Sequence, residues 1–540
     1  MVRGAPAASS AAAHLIAARS CLRTGDLEGA ATEARRAARI DPNNAEAHGL
    51  WGVASAERGA FAEAVEPLAT AARLAHAGTP RWVLLQSQLA RSLCNAGRWA
   101  EGLSRLEPLE SAPPADPAAR RRMGVSLVSL GLSERGLAHL EWAASAGPMS
   151  PSDLCDLAWA LTAAGRLEQA EETFTKALRV QPDMPRALIG LADLRRATSD
   201  WDPVDELTRA RSALAADDPD RASLGFALFK VLDGLDRCSE AWDALVEANE
   251  AAARATRPWS AATGAALVDG LIRAFPAPRF SRRQDASGDG PTPIFVVGLP
   301  RSGTTLVERI LAAHSQTRSL GEAPFFPRLF AASCGAPGRI VDATVVAGAK
   351  RADWRAVGAA YRAEAAALSR GARFTIDKLP FNNMLAGAIR LALPEARIVN
   401  LNRDPMDALF GAYKMRFSDD TWYGWSASQS DLASHFAAYR RLMDHWRAVL
   451  GETFIDISYE RLVAASDTAI RDLLTAVGQP FEAACLRPEQ AEGAVLTASM
   501  SQVRRPISGR YLGAWRRYEA QLEPLRVRLA EEGLLANANV

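Results

Sequence analysis

No apolar run in this chain approaches the roughly 18 to 20 residues that a bilayer-spanning helix needs. The opening stretch MVRGAPAASSAAAHLIAARS is only weakly apolar and carries a histidine inside it, so neither a membrane span nor a secretory leader is expected. Paired cysteines are missing too. The six that exist (Cys21, Cys94, Cys155, Cys238, Cys334 and Cys485) are scattered singly with no C-x-x-C, which argues against zinc sites and a disulfide framework and makes the cytoplasm the expected location. Nor is there an excess of either charge. With 63 basic and 62 acidic residues the chain has no bulk field for DNA, RNA or anionic membrane, so a nucleic-acid partner is not expected and any anion must be bound locally.

What is present is length and alanine-rich helical sequence. At 540 residues, 48% hydrophobic and 23% charged, the chain exceeds one core and should form two or three domains. Its first half repeats itself. The phrases TGDLEGA, RGAFAEA, AGRWAEG, LGLSERG and AGRLEQA place glycines at 25, 59, 97, 131 and 165, at spacings of 34, 38, 34 and 34. Five residues after each comes a small residue: Ala30, Ala64, Gly102, Gly136 and Ala170. A degenerate sixth phrase, DRCSEAW, puts Ala241 five after Asp236.

A glycine that ends one helix, followed by a helix whose small residue admits its partner closely, is what an antiparallel helix pair requires. Pro42 and Pro182 each follow a repeat glycine by seventeen residues and stop the second helix. This pattern resembles tetratricopeptide repeats over about residues 10 to 200, with looser pairs to about 272. The expected fold is an α-helical tetratricopeptide-like solenoid over 10–272 whose groove docks a polypeptide or another large acceptor, or serves as a rigid spacer. Trp51, Trp99, Trp142 and Trp159 fit core positions as well as a ligand platform.

FPAPRFSRRQDASGDGPTP reads as a linker, 273–293. Beyond it short β-rich runs, PIFVVG, RFTID, RIVNL and TFIDI, alternate with helical stretches. That alternation predicts an α/β P-loop-type domain over 294–530 with a mostly parallel sheet, its ligand sites just past the strands.

The first of those ends is GLPRSGTT. Gly303 follows Gly298 by five, the spacing of a nucleotide phosphate loop, but Thr304 stands where the lysine of ATPases and GTPases would be. The backbone still forms an anion cradle at a helix N-terminus. Arg301, Ser302, Thr304 and Thr305 add a guanidinium and three hydroxyls, which suit a terminal anion or a bridging oxygen better than a Mg-triphosphate.

PRSGTT after a strand resembles the 5′-phosphosulfate loop of sulfotransferases that use 3′-phosphoadenosine 5′-phosphosulfate (PAPS). The resemblance covers most of 293–530. LNRDPMDALFGAY resembles the 3′-phosphate motif, with Arg403 as its arginine and Gly411 where the family has a serine. SYERL resembles the element that sets a tyrosine, here Tyr459, by the adenine. RRPISGRYLGAWRRY loosely matches the loop closing over the 3′-phosphate, which implies Gly513 and Arg504, with Arg505 and Arg510 nearby. Together with the repeats, the chain resembles bacterial tetratricopeptide-sulfotransferase fusions and tyrosylprotein sulfotransferases.

The resemblance implies PAPS as co-substrate with no metal required. It implies Ser302, Gly303, Thr304 and Thr305 on the 5′-phosphosulfate, and Arg301 with Lys378, of DKLPFNN, on the leaving oxygen. Glu322, of LGEAPFF, is the candidate base, its pKa expected to rise by desolvation against the apolar wall. Its other expected role is structural or in substrate contact, because the acid usually assigned as base in tyrosylprotein sulfotransferases falls at Ala323. His314 is expected to cap its helix, His435 and His445 to pack. The aromatic run Phe410 to Trp425 fits an acceptor pocket and core packing equally. The acceptor hydroxyl stays open among peptide tyrosine, glycan, lipid and small phenol, and so does oligomeric state. The competing class is a repeat-based interaction scaffold whose sulfotransferase-like domain is catalytically weak.

Overall fold

The computed structural model describes residues 10–198, 200–255, 259–281, 290–322, 324–336, 341–417, 420–491 and 506–535. Contacts divide the chain into two compact units, Met1–Pro148 and Met149–Val540. The first is built of helix pairs, from Ala11–Arg23 with Leu27–Ile40 to Pro117–Ser129 with Ser133–Ala146.

The glycine period has a backbone cause. Gly25, Gly59, Gly97, Gly131 and, in the second unit, Gly165 all take φ between 78° and 85°, the left-handed turn that ends each first helix. Asp236 takes φ 61° in the degenerate phrase, so the geometry persists where the glycine does not. Close approach explains the small residues. Ala30, Ala64, Ala170 and Ala241 are fully buried, and a Cβ on Gly102 would collide with Cys94 Sγ.

The tryptophans divide between roles. Trp99 is buried, Trp142 lies under the Arg120 guanidinium at 4.0 Å, and Trp159 meets Phe174 edge-on at 5.5 Å. Trp51 instead lines a cavity of about 260 Å³ with Glu28, Arg35, Arg58, Glu63 and Glu66. Arg58 pairs with both Glu28 and Glu63 there.

In the second unit, helices from Pro151–Ala164 to Ala261–Ala274 precede a five-stranded sheet. Its strands are β1 Thr292–Gly298, β2 Thr317–Ser319, β3 Phe374–Asp377, β4 Arg397–Asn402 and β5 Phe454–Ser458. The order is β2-β3-β1-β4-β5 and every neighbouring pair is parallel. β1 is central because its run Ile294 to Val297 is apolar on both faces. One face packs on Val307, Ile310 and Leu311, with Ile470 and Leu473 in the same core. On the other, Phe295 meets Phe326 at 5.8 Å and Tyr361 at 5.3 Å. β2, sequence TRS, lacks the apolar run by which the other four are recognised. The chain leaves β1 for β2 and β3 on one side and continues to β4 and β5 on the other, which opens a crevice beside the carboxyl end of β1.

The last helices before the sheet are bonded to helical segments that follow β4 and β5. Asn249 Nδ2 donates to the Tyr413 carbonyl at 3.0 Å, the Tyr518 hydroxyl donates to Asp233 at 2.7 Å, and Trp242 packs on Tyr413 and Tyr518. Residues 282–289 of the expected linker lie outside the described residues, while Phe275, near its start, is fully buried against Trp354 and Trp446. A chain beginning at Met149 is therefore expected to fold, and one beginning at residue 291 to lose its near-ultraviolet circular dichroism, because Tyr413 and Tyr518 lose their cover. Equal cooperative melts of the two would contradict this. Among the described residues no helix is long and apolar enough to cross a membrane.

Candidate active site

All five strands deliver a sequence-predicted residue at the carboxyl edge: the Arg301 loop after β1, Glu322 after β2, Lys378 after β3, Arg403 after β4 and Tyr459 after β5. The loop is folded by its own polar groups. Ser302 donates from Oγ and N–H to the Leu299 carbonyl at 2.7 and 3.2 Å, and Asn383 Nδ2 donates to the Gly298 carbonyl at 3.0 Å. Arg301 takes φ 65°, a left-handed conformation that costs a non-glycine residue about 1 to 2 kcal/mol. Gly303 takes φ 106° just before the helix Thr304–Ala312, and a Cβ there would meet the Tyr459 ring at 2.5 Å. Only glycine lets the tyrosine close on the loop. Ser302, Thr304 and Thr305 are all buried.

Arg403 ties this cluster together. Its guanidinium donates to the Arg301 carbonyl at 2.9 Å and the Tyr511 carbonyl at 2.6 Å, and lies 4.4 Å over the Tyr459 ring. Asp407 sits 3.7 Å from Arg403 and accepts the N–H groups of Gly513 at 2.7 Å and Trp515 at 3.3 Å. The late loop is thus pinned through Asp407, and the Gly513 N–H is committed to that carboxylate. Arg504 and Arg505 lie outside the described residues. Burial, with Arg403 adding, pushes the Arg301 guanidinium down to about 10, which leaves it charged at neutral pH. Gly411 borders Arg301 directly: a Cβ on it would stand 2.9 Å from Arg301 Cβ.

The second cluster surrounds Lys378, which is fully buried. Its ammonium pairs with Glu322 and lies 3.5 Å from Glu308 Oε2. Burial pulls the Lys378 pKa down, but the two carboxylates outweigh it and the net direction is up. Glu322 corrects an expectation, because its side chain is 37% exposed and ion-paired rather than desolvated. Ala323 lies outside the described residues. Asp377 accepts hydrogen bonds from the Tyr361 hydroxyl at 3.1 Å and Asn382 at 3.0 Å. Burial pushes its carboxyl up to about 8.

The histidines take structural places. His314 does not cap its helix; its Nε2 bonds the Pro480 carbonyl at 3.0 Å while Nδ1 accepts the Gln316 N–H at 3.1 Å. His435 stacks on Trp425 at 4.0 Å, and burial pushes it down to about 3. His445 Nε2 bonds the Phe275 carbonyl at 2.9 Å. Within the aromatic run, Phe410 and Trp425 are core, whereas half-buried Trp422 stacks on Phe381, three residues past Lys378, at 4.2 Å.

Glu308, Asp377, Asp407 and Lys414, whose ammonium lies 4.7 Å over the Phe410 ring, escaped the sequence reading. Two had a signal: Glu308 lies four residues after Thr304, on the same face of the loop helix, and Asp377 ends the run FTID. Asp407 and Lys414 are legible only from their neighbours.

Fold and site together define a parallel α/β domain whose loop after β1 carries Arg301, is bonded by Arg403 and has no lysine. In comparison with known proteins, residues 293–483 match the model described as Sulfotransferase family, and 3–45, 17–78 and 155–202 match the Tetratricopeptide repeat model. An "Uncharacterized protein" of Aquifex aeolicus (strain VF5) is 27% identical over 394 residues, 70% of this chain, and the chain spans only 50% of that relative. Among solved structures, the sulfotransferase domain from the Synechococcus PCC 7002 olefin synthase is similar at 20% identity, covering 44% of this chain and 91% of its own, with a TM-score of 0.30. A thermophilic TPR protein of Thermus thermophilus covers 34% of this chain and 98% of its own, at 20% identity and a TM-score of 0.30.

Proposed function

We propose that this chain moves the sulfuryl group of PAPS to a hydroxyl, with the repeat region helping to present a polypeptide or other large acceptor. The observation that carries this reading is the loop itself: its glycine cradle, closed on by Tyr459 and bonded by Arg403, has Thr304 where a nucleotide loop has its lysine and carries Arg301 instead two residues before Gly303. Ser302, Gly303, Thr304 and Thr305 would hold the 5′-phosphosulfate, Arg403 and the Gly513 loop the 3′-phosphate, and Tyr459 the adenine. A sulfuryl group carries less negative charge than a phosphoryl group, so fixed protein donors can stabilise its transfer. Arg301 and Lys378 would face the leaving oxygen, and Glu322 would take the acceptor's proton. For the functional division we keep 10–272, 273–293 and 294–530.

Calorimetric titration with adenosine 3′,5′-bisphosphate, 5′-AMP and Mg-ATP tests this. Preferential binding of the bisphosphate without metal is expected, followed by transfer of labelled sulfate. Tighter binding of Mg-ATP would overturn the reading, and partner capture without PAPS consumption would favour the scaffold.

Lys414 adds a pH dependence. Burial, then Arg301 and Arg403, push its ammonium down to about 8. Its charge is present below that value and lost above it, and an anion selects the charged form. Bisphosphate affinity should therefore fall as pH rises from 7 to 9. Lys414→Arg, which stays charged, should flatten that dependence; an unchanged slope would remove Lys414 from the site.

A further inference from the structure

Lys378 is held from two sides, and the two carboxylates differ. The Glu322 side chain is 37% exposed, whereas that of Glu308, on the helix behind the loop, is 10% exposed. Glu308 is also fixed. Its Oε1 accepts the Ser319 hydroxyl at 2.5 Å, and Ser319 Oγ accepts the Gly321 N–H at 3.0 Å, so the segment that carries Glu322 also orients Glu308. Neighbouring Asp377, bonded by Tyr361 and Asn382 and pushed up to about 8, is mostly protonated at pH 7 and brings little further negative charge. The site therefore holds one buried ammonium between two carboxylates.

That surplus has a use during the proposed transfer, on which this inference rests. The acceptor oxygen forms its bond to sulfur as the bond from sulfur to the 5′-phosphate oxygen breaks. The electron pair of the broken bond leaves on that oxygen, and the acceptor's proton moves to the accessible carboxylate, Glu322. Glu322 is then neutral. A fully buried lysine facing only a neutral acid would be driven to release its own proton. We propose that Glu308 is a positioning residue that keeps Lys378 an ammonium after Glu322 has taken the proton, so that a full positive charge meets the leaving oxygen as its negative charge grows.

The lysine can be watched directly. The chain has five lysines, Lys176, Lys230, Lys350, Lys378 and Lys414, so full-length protein labelled with ¹³C at lysine Cε gives five signals. Lys378→Arg assigns the one of interest. In Glu322→Gln, which imitates the protonated base, the Lys378 midpoint should fall only part of the way, because Glu308 remains. In Glu308→Gln/Glu322→Gln it should fall by more than about one pH unit. A fall in Glu322→Gln as large as in the double variant would overturn the proposal. If the double variant does not fold, Ser319→Ala/Glu322→Gln keeps the Glu308 carboxylate but removes the bond that orients it, along with the Gly321 N–H bond, and a smaller shift in the same direction is expected; none would count against it.

Turnover supplies the second readout. Glu308→Gln should lower kcat, leave the donor KM within about twofold and move the alkaline limb of the kcat profile to lower pH. An unmoved limb would overturn the role. Should the unmodified protein move no sulfuryl group while the titrations behave as expected, the hold of Glu308 on Lys378 stands and the sulfotransferase reading falls.

Discussion

Lys378→Met is expected to lower sulfuryl transfer by at least about 10²- to 10³-fold, the range for removing a preorganised group that stabilises developing charge. The same change should destabilise the protein. Methionine fills the buried volume but leaves Glu308, whose side chain is 10% exposed, without the ammonium 3.5 Å away. Stripping one partner from a buried pair costs about 3 to 5 kcal/mol, and the low end applies here because Ser319 still bonds Glu308. Urea unfolding at pH 7 measures the loss. Glu308→Leu placed on Lys378→Met should recover most of the stability and none of the activity. That separation tells a charge needed for chemistry from one needed for folding. Wild-type turnover in Lys378→Met would remove the lysine from the reaction.

Gly411→Ser is expected to weaken adenosine 3′,5′-bisphosphate binding by tenfold or more, although it installs the residue that sulfotransferases usually carry there. The reason is steric. A Cβ on residue 411 would stand 2.9 Å from Arg301 Cβ, an atom fixed to the backbone rather than the end of a mobile side chain. Arg301 is already held at φ 65° by the loop, with its carbonyl bonded to Arg403 at 2.9 Å. Relief must come from moving the loop, and overpacking of this kind costs about 1 to 3 kcal/mol. Gly411→Ala should be as damaging, since the clash belongs to Cβ and not to the hydroxyl. A serine variant that binds better while the alanine variant binds worse would show that the loop yields and that a 3′-phosphate contact is gained. In this chain glycine at 411 and arginine at 301 fit each other.

These two sites also mark how far the sequence could be read. The repeats were legible because each is written locally: a glycine at φ near 80°, a small residue five places on, a proline after the second helix. The loop was legible for the same reason, since strand, turn and helix start follow one another within Ile294 to Thr305. Four of the five strands announce themselves by apolar runs, and β2 does not, because three polar edge residues take their strand character from β3. Asp236 shows the limit from the other side: the phrase had degraded, yet the backbone kept its turn.

By itself the sequence determined the helical pairs, the parallel α/β domain and an anion loop without its lysine, since each depends on residues a few positions apart. Tertiary structure decided which charges meet. Glu322 reaches Lys378 across 56 positions and Arg403 reaches the Arg301 carbonyl across 102, separations over which no period or motif extends. The sheet brings them together because parallel strands place all their carboxyl ends on one edge, and burial there turns a lone lysine, two glutamates and a missing Cβ into a site.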